Sequence, residues 1–299
     1  MRLGMVGLGV MGAPMVRRLT AAGFEVLGYN RTQAKASALR DEAGMQVAES
    51  PRQVAAETDV VMSMVSDDSA LRAIALGPAG IIAGLGTGKT WVDFSTVSPR
   101  LSVELGEHAA ACGSARLEAP VSGSVPAVDA GTLVILVGGD EAVVARVEPV
   151  LRHLGSIQRI GAVGQALALK LAINLSIPLQ LFGFAEGLVI AERAGLDRDR
   201  VIELMLGTVL ASPMLKYRIP FAQQPPQTPW FTVGMMLKDV ELALDEASAR
   251  GAATPMTARA ADLLKLALRR GLGAEEVAAV VRMLEALQGP VSDDPLAAQ

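Results

Sequence analysis

The chain has 299 residues, 51% of them hydrophobic and 19% charged, with a formal net charge of −4. Its length allows one large domain or two ordinary ones, and its acidic balance and 3% aromatic content argue against nonspecific nucleic-acid binding and base-stacking platforms. One cysteine (Cys112) and two histidines (His108, His153) exclude an intrachain disulfide and leave too few ligands for a thiolate or histidine metal site, so no metal is expected.

In chain order, short apolar runs predict strands over 2–7, 24–29, 59–65, 90–94, 133–138 and 156–160. Amphipathic runs between them predict helices over 11–22, 32–43, 67–76, 98–112 and 140–152, joined by glycine and proline stretches such as GPAG (77–80) and VGGD (137–140). This alternation indicates a mostly parallel sheet with helices on both faces. Beyond about residue 161 strand signals vanish, and helices are predicted over 164–194, 198–208, 234–250, 254–270 and 274–287, with QQPPQTP (223–229) as a loop. The expected organisation is an α/β domain over 1–161, an all-α domain over 162–288, and a disordered tail over 289–299.

No targeting or membrane segment is expected. The opening MRLGMVGLGVMGAPMV is interrupted by glycines and a proline, and it reads better as strand, loop and helix. The most apolar segment, 171–191, carries Asn174, Gln180 and Glu186 and is broken by Pro178, so it reads as a buried helix. A soluble cytoplasmic protein is the expectation.

The motif GLGVMG (Gly7, Leu8, Gly9, Val10, Met11, Gly12) follows a predicted strand and opens a predicted helix, the context of a dinucleotide-binding loop. Gly7 allows the tight turn, Gly9 lets the backbone approach a pyrophosphate, and Gly12 permits close helix–sheet packing. The helix N-terminus then offers unpaired N–H groups to phosphate. An NAD site usually places an acid at the end of the second strand. Here that strand runs into Asn30, Arg31 and Thr32, so Arg31 is expected to pair with a 2′-phosphate, with hydrogen bonds from Asn30 and Thr32. NADP is favoured over NAD. The alternative is that Arg31 is a solvated surface residue and Thr32 caps the next helix.

Three more loops follow strands of this domain: MVSDD (64–68, with cofactor candidates Met64, Val65 and Ser66), DFSTVSP (93–99) and EAPVSGS (118–124). Ligands of open α/β sheets bind at the carboxyl ends of the strands. Each loop alone is readable as helix capping, Ser98 before Pro99 being a good helix start. Three at one sheet edge favour a site. His108, His153 and Cys112 read as structural. In ALALKLAIN (166–174), Lys170 stands in an apolar run, and Asn174 lies four residues on, on the same helix face near the domain junction. Two readings stay open for Lys170 on this ground: a group at the cleft between the domains, or a snorkelling or ion-paired lysine.

Taken together, GLGVMGAPM (7–15), NRT (30–32), DFSTVSP (93–99), APVSGS (119–124), KLAIN (170–174) and LKDVELA (237–243) resemble the β-hydroxyacid dehydrogenase family, in order, over about residues 1–287. That family includes 3-hydroxyisobutyrate, tartronate semialdehyde and glyoxylate/succinic semialdehyde enzymes. The resemblance implies an α/β Rossmann-type domain followed by an all-α C-terminal domain, as in 6-phosphogluconate dehydrogenase. It implies that Lys170 is a general acid/base, and that Asn174 with Ser122, Gly123 and Ser124 holds a small carboxylate-bearing substrate. The resemblance also implies that Thr96, Phe231 and Lys238 join the cofactor site, that the α/β domain over 1–161 is the Rossmann-type NADP-binding domain, and that the helical domain over 162–288 serves substrate binding and oligomerisation, as dimers or tetramers. The family often has glycine four residues before the lysine, where this chain has Ala166. Ser124 together with NRT leans toward the glyoxylate/succinic semialdehyde branch. Imine reductases share the fold but usually carry Asp or Tyr in place of the lysine; Lys170 argues against them and against a noncatalytic NADP-binding protein.

Overall fold

The computed structural model describes residues 1–287. The predicted tail over 289–299 lies outside them, as does residue 288. Two compact units divide the chain within one helix, between Ala172 and Ile173; the sequence reading puts the division at 161/162.

The first unit is built on β1 (Leu3–Val6), α1 (Gly12–Ala21), β2 (Val26–Tyr29), α2 (Gln33–Ala43), β3 (Gln46–Val47), α3 (Pro51–Glu57), β4 (Val60–Ser63), α4 (Asp68–Ala75), α5 (Ile81–Gly84) and β5 (Thr90–Asp93). It continues with α6 (Pro99–Ala111), β6 (Ala115–Glu118), β7 (Val121–Ser122), α7 (Val125–Ala130), β8 (Leu133–Gly138), α8 (Glu141–Leu151) and β9 (Gly155–Gly161), and α9 (Gln165–Asn174) follows. Strand order is β3-β2-β1-β4-β5-β6-β8-β7, with β9 paired to β8. Pairing is parallel from β3 through to β6, whereas β8 runs antiparallel to β6 and β7. The predicted parallel α/β unit is present.

β1, β4 and β5 are buried along their whole length, as strands covered on both faces must be. Their side chains alternate between two cores. Leu3, Met5, Val60, Met62 and Val92 join one; Val6, Val61 and Trp91 join the other. Each large apolar side chain removed from water contributes about 1.5–3 kcal/mol. Gly4 lets α3 approach the sheet, since a Cβ there would sit 2.4 Å from Val54 Cγ1.

Several short elements were not predicted: β3, β6, β7, α3, α5 and α7. The helix predicted over 164–194 is interrupted. α9 ends at Asn174 and α10 spans Ser176–Arg193. Pro178 has no N–H for the Asn174 carbonyl four residues back and its ring crowds that carbonyl, so the helix breaks there.

The second unit continues through α11 (Arg198–Gly207), α12 (Pro213–Arg218), α13 (Pro220–Gln223), α14 (Val233–Ala249), α15 (Pro255–Arg269), a 3₁₀ turn (Leu272–Ala274) and α16 (Ala279–Glu285). Leu181, Phe184, Leu188, Val233, Met236, Val240, Leu264 and Val280 form its core. The run 165–193 is long and apolar enough to cross a membrane by length and composition, yet 44% of its most apolar window is buried inside the protein itself. The helix predicted over 274–287 begins only at Ala279. Before it, Glu276 bridges Thr232 in extended conformation, and Val277 N–H donates to Phe231 O at 2.9 Å.

Candidate active site

The parallel register aligns one row across the sheet: Tyr29, Val6, Ser63, Asp93 and Glu118, each the last residue of its strand. The glycine loop, Asn30–Thr32, Met64–Asp68, Phe94–Ser98 and Ala119–Ser124 therefore all leave the sheet at its carboxyl edge, where open α/β sheets bind ligands. The first unit thus gathers the sequence-predicted loops at one place.

The three glycines of the first loop differ in physical cause. A Cβ on Gly7, at φ +99°, would lie 2.2 Å from Met64 O, and one on Gly12 would lie 2.0 Å from Gly7 O. Both are required by the protein's own packing. A Cβ on Gly9 would meet nothing within 4 Å. That open position is where a dinucleotide's pyrophosphate would need to approach the backbone. α1 begins with Met11 at its N-cap, without a side-chain cap or an acid in its first turn, which suits a phosphate at the helix N-terminus.

Asn30 has a role inside the loop. Its Oδ1 accepts Leu8 N–H at 3.0 Å and its Nδ2 donates to Thr32 O at 3.1 Å, so its amide joins the end of β2 to the glycine turn. Thr32 occupies the N-cap position of α2, but its side chain makes no capping bond. Arg31 is exposed beside it. Val65 N–H donates to Ser95 Oγ at 2.9 Å, and Ser66 Oγ donates to Asp67 Oδ2 at 2.7 Å. Val10 and Ser66 are exposed, while Met64, Val65 and Thr96 are half-buried. Ser98 acts structurally: it caps α6 and binds Asp68 through both its N–H and its hydroxyl.

In the 118–124 loop, Gly123 has φ +123°, and a Cβ there would strike Ala127 Cβ and Leu133 Cδ2. Glycine is thus fixed by the turn. Ser122 and Ser124 flank it, half-buried, and Ser124 sits at the N-cap of α7 without making a capping bond.

Beneath this edge lies a buried polar network that the sequence reading did not single out. Asp93 Oδ1 accepts from Ser63 Oγ at 2.7 Å and Ser95 Oγ at 2.8 Å, and Asp93 Oδ2 accepts from Arg116 Nη2 at 2.9 Å. Arg116 Nη1 donates to Ser102 Oγ at 2.6 Å, and its guanidinium lies over the Trp91 ring at 4.7 Å. Burial pulls the Arg116 pKa down from its usual value, opposed by the charges of Asp93 and Glu118. The network fixes Ser95, the residue before Thr96, and through it the backbone at Val65.

α9 carries an inverted pattern. Ala166, Leu167, Lys170, Leu171 and Asn174 are buried, and the apolar Leu169 and Ile173 are each 38% exposed. Lys170 is 8% exposed and Asn174 4%, so both polar groups sit on the buried face. A lysine so placed is uncommon because its ammonium is costly to desolvate.

In the second unit, Asn174 Nδ2 donates to Asp239 Oδ2 at 2.5 Å, which sets the direction of its amide. Lys238 Nζ stands 2.5 Å from Asp239 Oδ1 as an ion pair, without hydrogen-bond geometry at that oxygen. Asp239 is 1% exposed. The segment at Phe231 is held by Glu276, whose Oε2 accepts Trp230 N–H at 2.8 Å and Phe231 N–H at 3.1 Å while Oε1 pairs with buried Arg218. The sequence signal for Asp239 is its place in α14 between the buried Met236 and Ala243, where an acid needs a partner. His108 and His153 are exposed, the His153 ring standing edge-on to Phe24, and Cys112 is half-buried.

Residues 2–164 match a family described as the NAD binding domain of 6-phosphogluconate dehydrogenase, and residues 164–284 one described as NAD-binding of NADP-dependent 3-hydroxyisobutyrate dehydrogenase. Glyoxylate/succinic semialdehyde reductase 2 of Arabidopsis thaliana, a chloroplastic protein, is 33% identical over 95% of this chain and 79% of its own length. Glyoxylate/succinic semialdehyde reductase 1 of the same plant is 32% identical over 95% of this chain and 99% of its own. The solved 3-hydroxyisobutyrate dehydrogenase of Mycobacterium tuberculosis, with L-serine, superposes with a TM-score of 0.83 at 31% identity, covering 95% of this chain and 98% of that one.

The fold alone does not fix the chemistry, but the family matches and the named relatives together make this an NAD(P)-dependent oxidoreductase acting on the CH–OH group of hydroxy acids. This chain belongs to the β-hydroxyacid dehydrogenase family.

Proposed function

We propose that the protein is an NADP-preferring reductase of small aldehyde acids of the glyoxylate or succinic semialdehyde type, with Lys170 as general acid/base. The observation that carries this reading is a lysine only 8% exposed on the buried face of α9, beside the apolar Ala166, Leu167 and Leu171 and with Asn174 four residues on. When bound, the reduced nicotinamide supplies the hydride. Lys170 Nζ, as ammonium, gives its proton to the oxygen of the carbonyl being reduced; in the reverse direction the neutral amine takes the hydroxyl proton. Ser122 and Ser124 donate hydrogen bonds to the substrate, and Asn174, its amide oriented by Asp239, binds it as well. Gly9 and the N-terminus of α1 receive the pyrophosphate, and Phe231 and Lys238 contribute to the cofactor site. Two relatives named for glyoxylate and succinic semialdehyde support the substrate class. NADPH oxidation with glyoxylate, succinic semialdehyde, methylmalonate semialdehyde, tartronate semialdehyde and a cyclic imine tests it. The first two are expected to give the highest kcat/KM; a higher value with the imine would overturn the assignment.

The NADP preference rests on Arg31, exposed just past β2 where no acid stands. Arg31→Asp removes a charge-assisted contact and adds repulsion, so kcat/KM for NADPH should fall by about tenfold or more while that for NADH is spared. An unchanged ratio of the two would remove the assignment. Replacing Ser122 and Ser124 together by alanine should raise substrate KM several-fold and leave cofactor affinity within about twofold, as expected for lost hydrogen bonds to a charged group. Steady-state titration of each substrate separates the two, and an unmoved substrate KM would take the loop out of the site.

A further inference from the structure

Glu118 ends β6 and is 0% exposed. Its Oε1 accepts the backbone N–H of Ala166 at 2.9 Å and of Leu167 at 3.2 Å, both in the first turn of α9. Its Oε2 accepts from Ser102 Oγ at 2.6 Å. A helix N-terminus presents N–H groups with no partner in the helix and the positive end of its dipole, and a nearby Ser, Thr, Asp or Asn usually answers them. Here the residue before α9 is Gly164, at φ +98°, with no side chain to offer. The cap comes instead from a carboxylate 48 residues earlier in the chain. Space for it is kept by Gly138, the residue opposite Glu118 on β8, where a Cβ would lie 2.6 Å from Glu118 Oε1.

Both ends of this contact lead into the site. Ser122 follows Glu118 by four residues on one segment, and Lys170 follows Ala166 by four on one helix. We propose that Glu118 is a positioning residue for Lys170: by gripping the first turn of α9, it sets where the Lys170 ammonium stands relative to the Ser122–Ser124 loop. This rests on Lys170 being the proton donor. A cap serving stability alone would affect folding and leave proton delivery untouched.

The test is a double-mutant cycle between Glu118→Gln and Lys170→Met, with kcat, NADPH affinity and melting temperature measured for all forms. Glu118→Gln keeps the shape but replaces the charged cap. In the Lys170 background kcat should fall by about tenfold or more, since misplacing a catalytic group by about 1 Å costs on that order or more, with NADPH affinity within about twofold. In the Lys170→Met background the same change should lower the residual kcat by less than about twofold, because two residues acting through one proton transfer are not additive. If Glu118→Gln does not fold, Glu118→Asp, which keeps the charge but draws it back by one methylene, takes its place with the same expectation. Equal losses in both backgrounds, or a lowered melting temperature with kcat unchanged, would overturn the positioning role and leave Lys170 as donor standing. A Lys170→Met variant that by itself loses less than about tenfold in kcat would overturn the donor reading, and this proposal with it.

Discussion

Lys170→Met is expected to lower kcat by about 10² or more, the usual effect of deleting a general acid, while the protein stays folded. Methionine keeps the apolar stem on the buried face of α9 and removes only the ammonium. Among its neighbours along that face, Ala166, Leu167 and Leu171 are apolar and tolerate it, and the amide of Asn174 keeps its bond to Asp239. NADPH binding should be nearly retained, since the glycine loop and Arg31 lie on other elements. The loss should fall on kcat and on kcat/KM alike, as for an interaction made in the transition state. The parent's pH–rate profile should also contain an ionisation that the variant lacks. Circular dichroism and NADPH titration check integrity, and single-turnover kinetics read the chemical step. A loss below about tenfold in a folded, NADPH-binding variant would make Lys170 a structural lysine.

How much of this was legible in the sequence follows from which residues obey local rules. The glycine loop was legible because Gly7 and Gly12 answer to packing that any such strand–turn–helix imposes. The parallel strands were legible because β1, β4 and β5 are buried on both faces and read as apolar runs. β6 was not. Its sequence, ARLE, places Arg116 and Glu118 among the buried residues, and no periodicity rule assigns two charges to a sheet interior. Their partners, Asp93 and the first turn of α9, are 23 and 48 residues away in the chain. The break at Leu175 was half legible, because Pro178 marks it only when its missing bond is counted back to Asn174. Glu276 stayed hidden for the same reason as β6: an acid within a predicted helix gives no sign that it will be spent on Arg218 and two backbone N–H groups. Asn30 has a structural role that the motif did not announce, since its amide ties β2 to the glycine turn.

The second large effect concerns the network under the site. Arg116→Met should destabilise the protein by about 3–5 kcal/mol, the range for removing one partner of a buried ion pair. The guanidinium is fully enclosed, pairs with Asp93 at 2.9 Å and holds Ser102. Its removal leaves the Asp93 carboxylate, itself buried, without the charge that offsets its desolvation. Burial pulls the Arg116 pKa down, and the charges of Asp93 and Glu118 oppose it. A buried pair of this kind is costly to break rather than a source of net stability. Asp93→Asn added to Arg116→Met keeps an acceptor for Ser63 and Ser95 and removes the stranded charge, so it should recover at least about 1 kcal/mol of the loss. Urea unfolding followed by Trp91 fluorescence, in a Trp230→Phe background, reads the first unit directly, because Trp91 packs against Arg116. If Arg116→Met shifts the midpoint by the equivalent of less than about 1 kcal/mol, or if adding Asp93→Asn deepens the loss, the uncompensated charge is not what the network controls.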